Sequence, residues 1–184
     1  SDFGDVPLAA NQILMQFLHV TAFAMDGFAF AAEALVGQAL GARSRQALRR
    51  YAVITSQWGL GICIVLAIAF ALFGAQIVDI MSTSTDVRAE ARVYLPYMVA
   101  APILGCAAWM LDGIFIGATR TTDMRNMMLL SAMIYFVAVY PLMWAFGNHG
   151  LWIALLLSFV ARGATLYWRY PALEAQADRP VGPA

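Results

Sequence analysis

LAANQILMQFLHVTAFAMDGFAFAAEALVGQAL, residues 8–40, is apolar throughout except for a few amides, Thr21 and three ionisable side chains, His19, Asp26 and Glu33. A helix that crosses a bilayer needs about 20 mostly apolar residues, and this run exceeds that. The runs 52–81, 93–118 and 124–146 also qualify, and 151–168 nearly does. The first two are long enough to tilt or to protrude from the bilayer. Barrel strands would instead be segments of about 10 residues with alternating polarity. No such alternation is visible. The pattern predicts an all-α membrane protein with five transmembrane helices.

Composition agrees. Of 184 residues, 62% are hydrophobic and 12% are charged, with a mean hydropathy of +0.72. A soluble domain carries about 25% charged residues. The lipid bilayer is therefore the first partner implied. Net charge is zero, which gives no footprint for nucleic acid. Cys63 and Cys106 lie in apolar runs without C-x-x-C or Cys/His spacing, so neither a zinc site nor a disulfide framework is indicated. Both read as small core residues.

The connecting segments set an orientation. Residues 41–51 carry Arg43, Arg45, Arg49 and Arg50, and residues 119–126 carry Arg120 and Arg125. Residues 82–92 carry Arg88 and Arg92, and the turn 147–150 carries no Arg. Arg-rich short loops stay cytoplasmic. The 41–51 and 119–126 loops and the C-terminus are thus predicted inside, with the start of the chain outside. Residues 169–184 read as a loose cytoplasmic tail. An odd number of spans with an outside start leads us to expect a preceding span.

Within residues 8–40, His19, Asp26 and Glu33 recur every seven residues. Seven residues leave a helix only about 20° out of register, so the three share one stripe. Gln12 and Gln16 extend it, whereas Thr21 falls on another face. Gln12 to Glu33 spans roughly 31 Å at 1.5 Å per residue, about the full hydrocarbon thickness. An Asp at mid-bilayer costs about 2.5–3.5 kcal/mol on insertion scales. Such groups face bundle interiors or wet cavities and mark ion or proton pathways. His19, Asp26 and Glu33, with Gln16, are therefore candidates for a cation or substrate pathway. A buried hydrogen-bond network that only holds helices together satisfies the same pattern, and His19 also suits an interfacial position.

Asp112 is the second intramembrane acid. Its helix face continues through Ala108, Gly105, Ala101, Tyr97 and Tyr94, a small-residue groove ending in two tyrosines. Pro96 and Pro102 should kink that helix. Asp112 and Tyr97 are candidates for lining a cavity, and the same face suits a close helix contact. GIFIG (113–117) is a G-x-x-x-G match that favours packing. Arg162 reads as a snorkelling side chain near the end of its span. Trp144, Trp152, Tyr167 and Trp168 read as interfacial anchors. The methionines between 124 and 143 read as helix surface or core, with a promiscuous apolar ligand as the alternative. No H-E-x-x-H, G-x-S-x-G or P-loop pattern is present, so enzymatic chemistry is not expected.

PLAANQILMQF (7–17) followed by AAEALVGQALGARSRQALRR (31–50) resembles an even-numbered helix and the basic loop after it in the multidrug and toxic compound extrusion (MATE) family. WMLDGIFIGATRTTDMRNMMLLSA (109–132) resembles the tenth helix of that family and the turn that follows. The wording is nearest the DinF-like bacterial branch. VGQALGA (36–42) and GIFIGATRTTDMRN (113–126) are specific as a pair. The resemblance implies twelve spanning helices in two six-helix bundles, of which this chain matches helices eight to twelve. It implies secondary antiport of cationic or amphipathic drugs and metabolites against protons or sodium ions, with no cofactor beyond the coupling ion. It also implies a bacterial inner-membrane location and, as partner, an N-terminal bundle of the same transporter. The best-known acidic site of this branch lies in that other bundle. Asp112 lies in a helix that contributes to a sodium-linked site in other branches, whereas Asp26 and Glu33 rest on the physical argument alone. The competing expectation is a structural or interaction bundle without transport activity of its own.

Overall fold

The computed structural model describes residues 4–177. Among them are five α-helices and no strand: α1 Asp5–Gly41, α2 Arg45–Met81, α3 Thr85–Gly117, α4 Thr121–Phe146 and α5 Asn148–Glu174. All five are long and apolar enough to cross a membrane. The all-helical, five-span expectation holds.

Each helix extends beyond its apolar run, because hydropathy marks only the part that suits hydrocarbon. Helix α2 begins at Arg45, where the Ser44 hydroxyl accepts the Ala47 N–H at 3.2 Å. Helix α3 begins at Thr85, where Ser84 accepts the Val87 N–H at 3.5 Å. Asp86 then sits in the first turn, favourably placed on the helix dipole. The arginines expected in a 41–51 loop therefore ride mostly on the first turns of α2. Helix α5 runs on to Glu174, with Leu173 and Ala177 buried, so residues 169–177 are docked on the bundle and do not form a loose tail. The rest of the expected tail, 178–184, lies outside the described residues.

Two turns at the Arg-rich end share one geometry. Ser44 N–H bonds to Ala39 C=O and Arg43 N–H to Leu40 C=O, and Arg120 N–H bonds to Phe115 C=O and Thr119 N–H to Ile116 C=O. These paired bonds form Schellman caps. The left-handed position, usually glycine, is held by Arg43 (φ 52°) and Thr119 (φ 57°).

Helix α3 is the hub. It packs on α1, α2 and α5, while α4 rests chiefly on α5. One core cluster lies toward the Arg-rich end around Met25, Cys63, Met110 and Phe115, and the other toward the opposite end around Leu14, Phe17, Met98 and Trp152. Cys63 and Cys106 are free and buried, as their sequence setting suggested. The α1–α3 contact is backbone to backbone. A Cβ on Gly113 would meet the Ala29 carbonyl, and one on Gly117 the Glu33 carbonyl. G-x-x-x-G here is a packing device. Helix α3 continues through Pro96 and Pro102 as one element, and Ala101 and Ala108 are buried, so its small-residue face is largely a contact surface.

Candidate functional site

Helix α1 turns Leu14, Phe17, Met25, Ala32 and Val36 into the bundle. The opposite face stays uncovered. Gln12, Gln16, His19 and Asp26 are exposed and Glu33 is half-buried. Phe23 and Phe30 lie between them, 76% and 66% exposed. The sequence from Gln12 to Glu33 thus alternates steps of four and three residues through Gln12, Gln16, His19, Phe23, Asp26, Phe30 and Glu33. That spacing forms a continuous seam along one side of a helix. Among the described residues, the side chains of Gln16, His19, Asp26 and Glu33 form no hydrogen bond or ion pair. Thr21 is buried and returns its hydroxyl to Phe17 C=O at 2.9 Å, on the other face as expected.

Asp112 belongs to a different arrangement. Gly163 of α5 approaches Ala107 and Ala108 of α3 closely. This brings the neighbouring Arg162 to Asp112, one helical turn beyond Ala108. Arg162 Nη2 lies 2.6 Å from Asp112 Oδ2, and the two side chains are 19% and 14% exposed. Arg162 therefore does not snorkel. It is held inside because a carboxylate is within reach and a charged pair costs less than either charge alone. Asp112 Oδ1 and Arg162 Nε have no hydrogen-bond partner among the described residues.

The third polar group lies at the end of the bundle opposite the Arg-rich turns 41–51 and 119–126. Tyr97 Oη is 3.1 Å from His149 Nδ1, and the His149 ring packs edge-on to Tyr94 at 4.7 Å between centroids. Tyr94 in turn donates to Glu90 at 3.2 Å. Beside them Asn11 and Asn148 exchange amide bonds of 2.9 and 3.0 Å, and Trp152 Nε1 donates to Asn11 at 3.2 Å. Trp152 is only 2% exposed, so it is a core residue pinned by an amide and not an interfacial anchor. Trp144 and Trp168, at 92% and 79% exposed, suit the anchor role.

The sequence candidates thus divide three ways. His19, Gln16, Asp26 and Glu33 share an open seam, Asp112 is neutralised within the bundle, and Tyr97 belongs to an end cluster. Sequence reasoning missed Asn11, His149 and the pairing role of Arg162. For Arg162 a signal existed. Asp112 lies six residues before 118 and Arg162 six before 168, the ends of two apolar runs that head the same way. Opposite charges at equal depth in parallel spans are candidates to meet.

The MatE family model matches residues 1–144. The chain belongs to the MatE family. It is 39% identical over 165 residues to DNA damage-inducible protein F of Escherichia coli (strain K12), covering 88% of this chain and 36% of that protein. It is 25% identical over 177 residues to the probable multidrug resistance protein NorM of Rhizobium meliloti (strain 1021), covering 91% of this chain and 38% of that one. Protein DETOXIFICATION 42 of Arabidopsis thaliana is 24% identical over 169 residues, with 90% and 32% covered. The chain therefore spans roughly a third of the length of these MatE relatives. The DinF-like resemblance carried by residues 7–17, 31–50 and 109–132 holds.

Proposed function

We propose that the chain forms most of one six-helix bundle of a secondary antiporter. The intact transporter would export cationic or amphipathic compounds in exchange for protons or sodium ions. The observation that carries this reading is the uncovered seam on α1, in which the side chains of Gln16, His19, Asp26 and Glu33 lack partners among the described residues. A lone carboxylate in hydrocarbon costs about 2.5–3.5 kcal/mol. The seam is therefore suited to a wet cavity between this bundle and a second one, with Phe23 and Phe30 offering ring faces to a lipophilic cation. MatE membership and the name of the NorM relative support the same direction.

In this reading Asp26 is the principal coupling group, and Glu33, His19 and Gln16 extend the path toward either side. Tyr97, held in the end cluster with His149, is assigned to the outer end of the substrate path. Alternating access comes from rocking of this bundle against the other. The protein sits in a bacterial inner membrane with the Arg-rich end and C-terminus cytoplasmic, six arginines in the inner loops against two in the outer. No enzymatic step and no cofactor beyond the coupling ion is assigned.

The test uses the full-length transporter in proteoliposomes, wild type against Asp26→Asn. Efflux of a cationic dye is followed under an imposed pH gradient, with and without sodium. Loss of gradient-driven efflux in a normally inserted variant supports the assignment. Unchanged efflux makes the seam structural. In this reading the 184-residue chain supplies one wall of the pathway and not the other, so coupled transport by it alone in liposomes would also overturn the reading.

A further inference from the structure

We propose that Arg162 is a tethered cation with two seats. It occupies Asp112 at rest, and it moves into the cleft between α4 and α5 when Asp112 takes up a proton or a transported cation. The inference rests on the cation-antiporter reading above.

The first seat is incompletely made. Only Arg162 Nη2 engages Asp112 Oδ2, at 2.6 Å, although guanidinium and carboxylate can pair through two parallel bonds. Asp112 Oδ1 and Arg162 Nε are buried without partners among the described residues. A pair kept only for stability would use those atoms, because a buried polar atom without a partner is costly. Here Oδ1 is an acceptor without a donor, the atom on which an added proton would sit, and a cation reaches it only once the guanidinium has moved aside.

The second seat is already formed. Arg162 borders a cleft of about 300 Å³ whose other walls include Ser131, Tyr135, Phe136, Ser158 and Phe159. Ser131 donates its hydroxyl proton to Met128 C=O at 2.9 Å, and Ser158 donates to Leu155 C=O at 2.7 Å. Both oxygens are thereby left as acceptors for guanidinium N–H groups. The rings of Tyr135, Phe136 and Phe159 supply faces for a cation. Among the described residues, the titratable or charged groups facing Arg162 are Asp112 from α3 and Tyr135 from α4.

Arginine stays charged under all working conditions, so it can answer neutralisation of its partner only by moving. A proton from the aqueous phase adds to Asp112 Oδ1, Arg162 keeps its own proton, and the attraction that held the guanidinium falls. Release of the proton to the other side restores the carboxylate charge and draws the guanidinium back. The binding of Arg162 and of an external cation to Asp112 are then mutually exclusive, and each weakens the other by the same factor.

The experiment is equilibrium binding of tetraphenylphosphonium to the purified full-length transporter, with dye efflux in parallel. Arg162→Met removes the competitor, and we expect binding about tenfold tighter, within the usual range of coupling between sites, together with slower turnover. Arg162→Lys restores a cation and should return binding toward wild type. Ala132→Phe fills the cleft while keeping the ion pair, and should weaken binding several-fold. Arg162→Met binding that is equal or weaker, in a folded protein, overturns the proposal. If Arg162→Met does not fold, unchanged binding in Ala132→Phe overturns it instead. Wild type that neither binds the probe nor moves the dye defeats the antiporter reading and this inference with it. Normal wild-type binding without the Arg162 effects defeats this inference alone.

Discussion

Replacing glycine with alanine should have opposite effects at two pairs of positions in this bundle. In a helix interior the change gains about 1 kcal/mol of intrinsic propensity. Gly27 and Gly61 have nothing within 4 Å of an added Cβ, so Gly27→Ala and Gly61→Ala should stabilise by up to that amount. At Gly113 the new Cβ would lie 2.9 Å from Ala29 Cα, and at Gly117 2.8 Å from Glu33 Cα, besides overlapping the carbonyl oxygens of both residues. Carbon atoms pack best at about 3.5–4.0 Å, so α1 and α3 must part by about 0.5–1 Å. Neither obstacle is a side chain that can rotate away. A gap of that size forfeits a quarter to a half of each pair attraction along the contact, and overpacking of this kind costs about 1–3 kcal/mol. Net destabilisation of about 1–2 kcal/mol is expected for each single variant. The double variant should cost less than the sum, because one separation of the helices relieves both clashes. Unfolding of the full-length transporter in mixed detergent micelles, followed by helicity, measures this. If Gly113→Ala and Gly117→Ala prove as stable as Gly27→Ala and Gly61→Ala, the backbone contact does not hold α1 to α3.

Three further outcomes follow from single contacts. Asn11→Ala should destabilise by about 1–2 kcal/mol and more than Asn148→Ala, because it strips a partner from both Asn148 and Trp152; thermal melts of the two variants compare them. Thr119→Gly should raise the melting temperature, relieving a left-handed β-branched residue worth about 1 kcal/mol, and an unchanged or lower melt would show that the turn is not strained. Glu174→Gln should cost no more than about 1 kcal/mol, since Arg45 and Arg49 opposite it are more than half exposed, and the loss should shrink as salt is raised toward about 1 M.

The number and type of elements were legible because a bilayer imposes a length and an apolar content on every crossing. The ends were not, since a helix continues into polar flanks wherever a Ser44 or Ser84 caps it and its backbone bonds remain satisfied. The polar stripe of α1 was legible from its seven-residue period, but not the exposed Phe23 and Phe30 between its members, and the packing role of GIFIG was legible from its glycine spacing. Arg162 was misread because snorkelling depends on depth in one helix, whereas its position depends on a glycine contact with another helix. Trp152 was misread for a similar reason. Hydropathy sees an aromatic near a helix end, but only the fold brings Asn11 beneath its indole nitrogen.

The two intramembrane acids illustrate two ways to carry charge in hydrocarbon. Asp112 has its counter-charge within the bundle, so a change in its surroundings is answered by Arg162. Asp26 has no counter-charge among the described residues, and its nearest partners along the seam, His19 and Glu33, are each about 10 Å away along the helix. Its stability in a membrane therefore depends on what lies across the seam: water, a cation or a second protein wall. If that surface changes as two bundles rock, the affinity of Asp26 for a cation must change with it, because a site that binds differently in two states biases the balance between them. The proposed coupling thus requires no special chemistry from Asp26. It requires that the seam be wet in one state and covered in another, with the carboxylate midway along it.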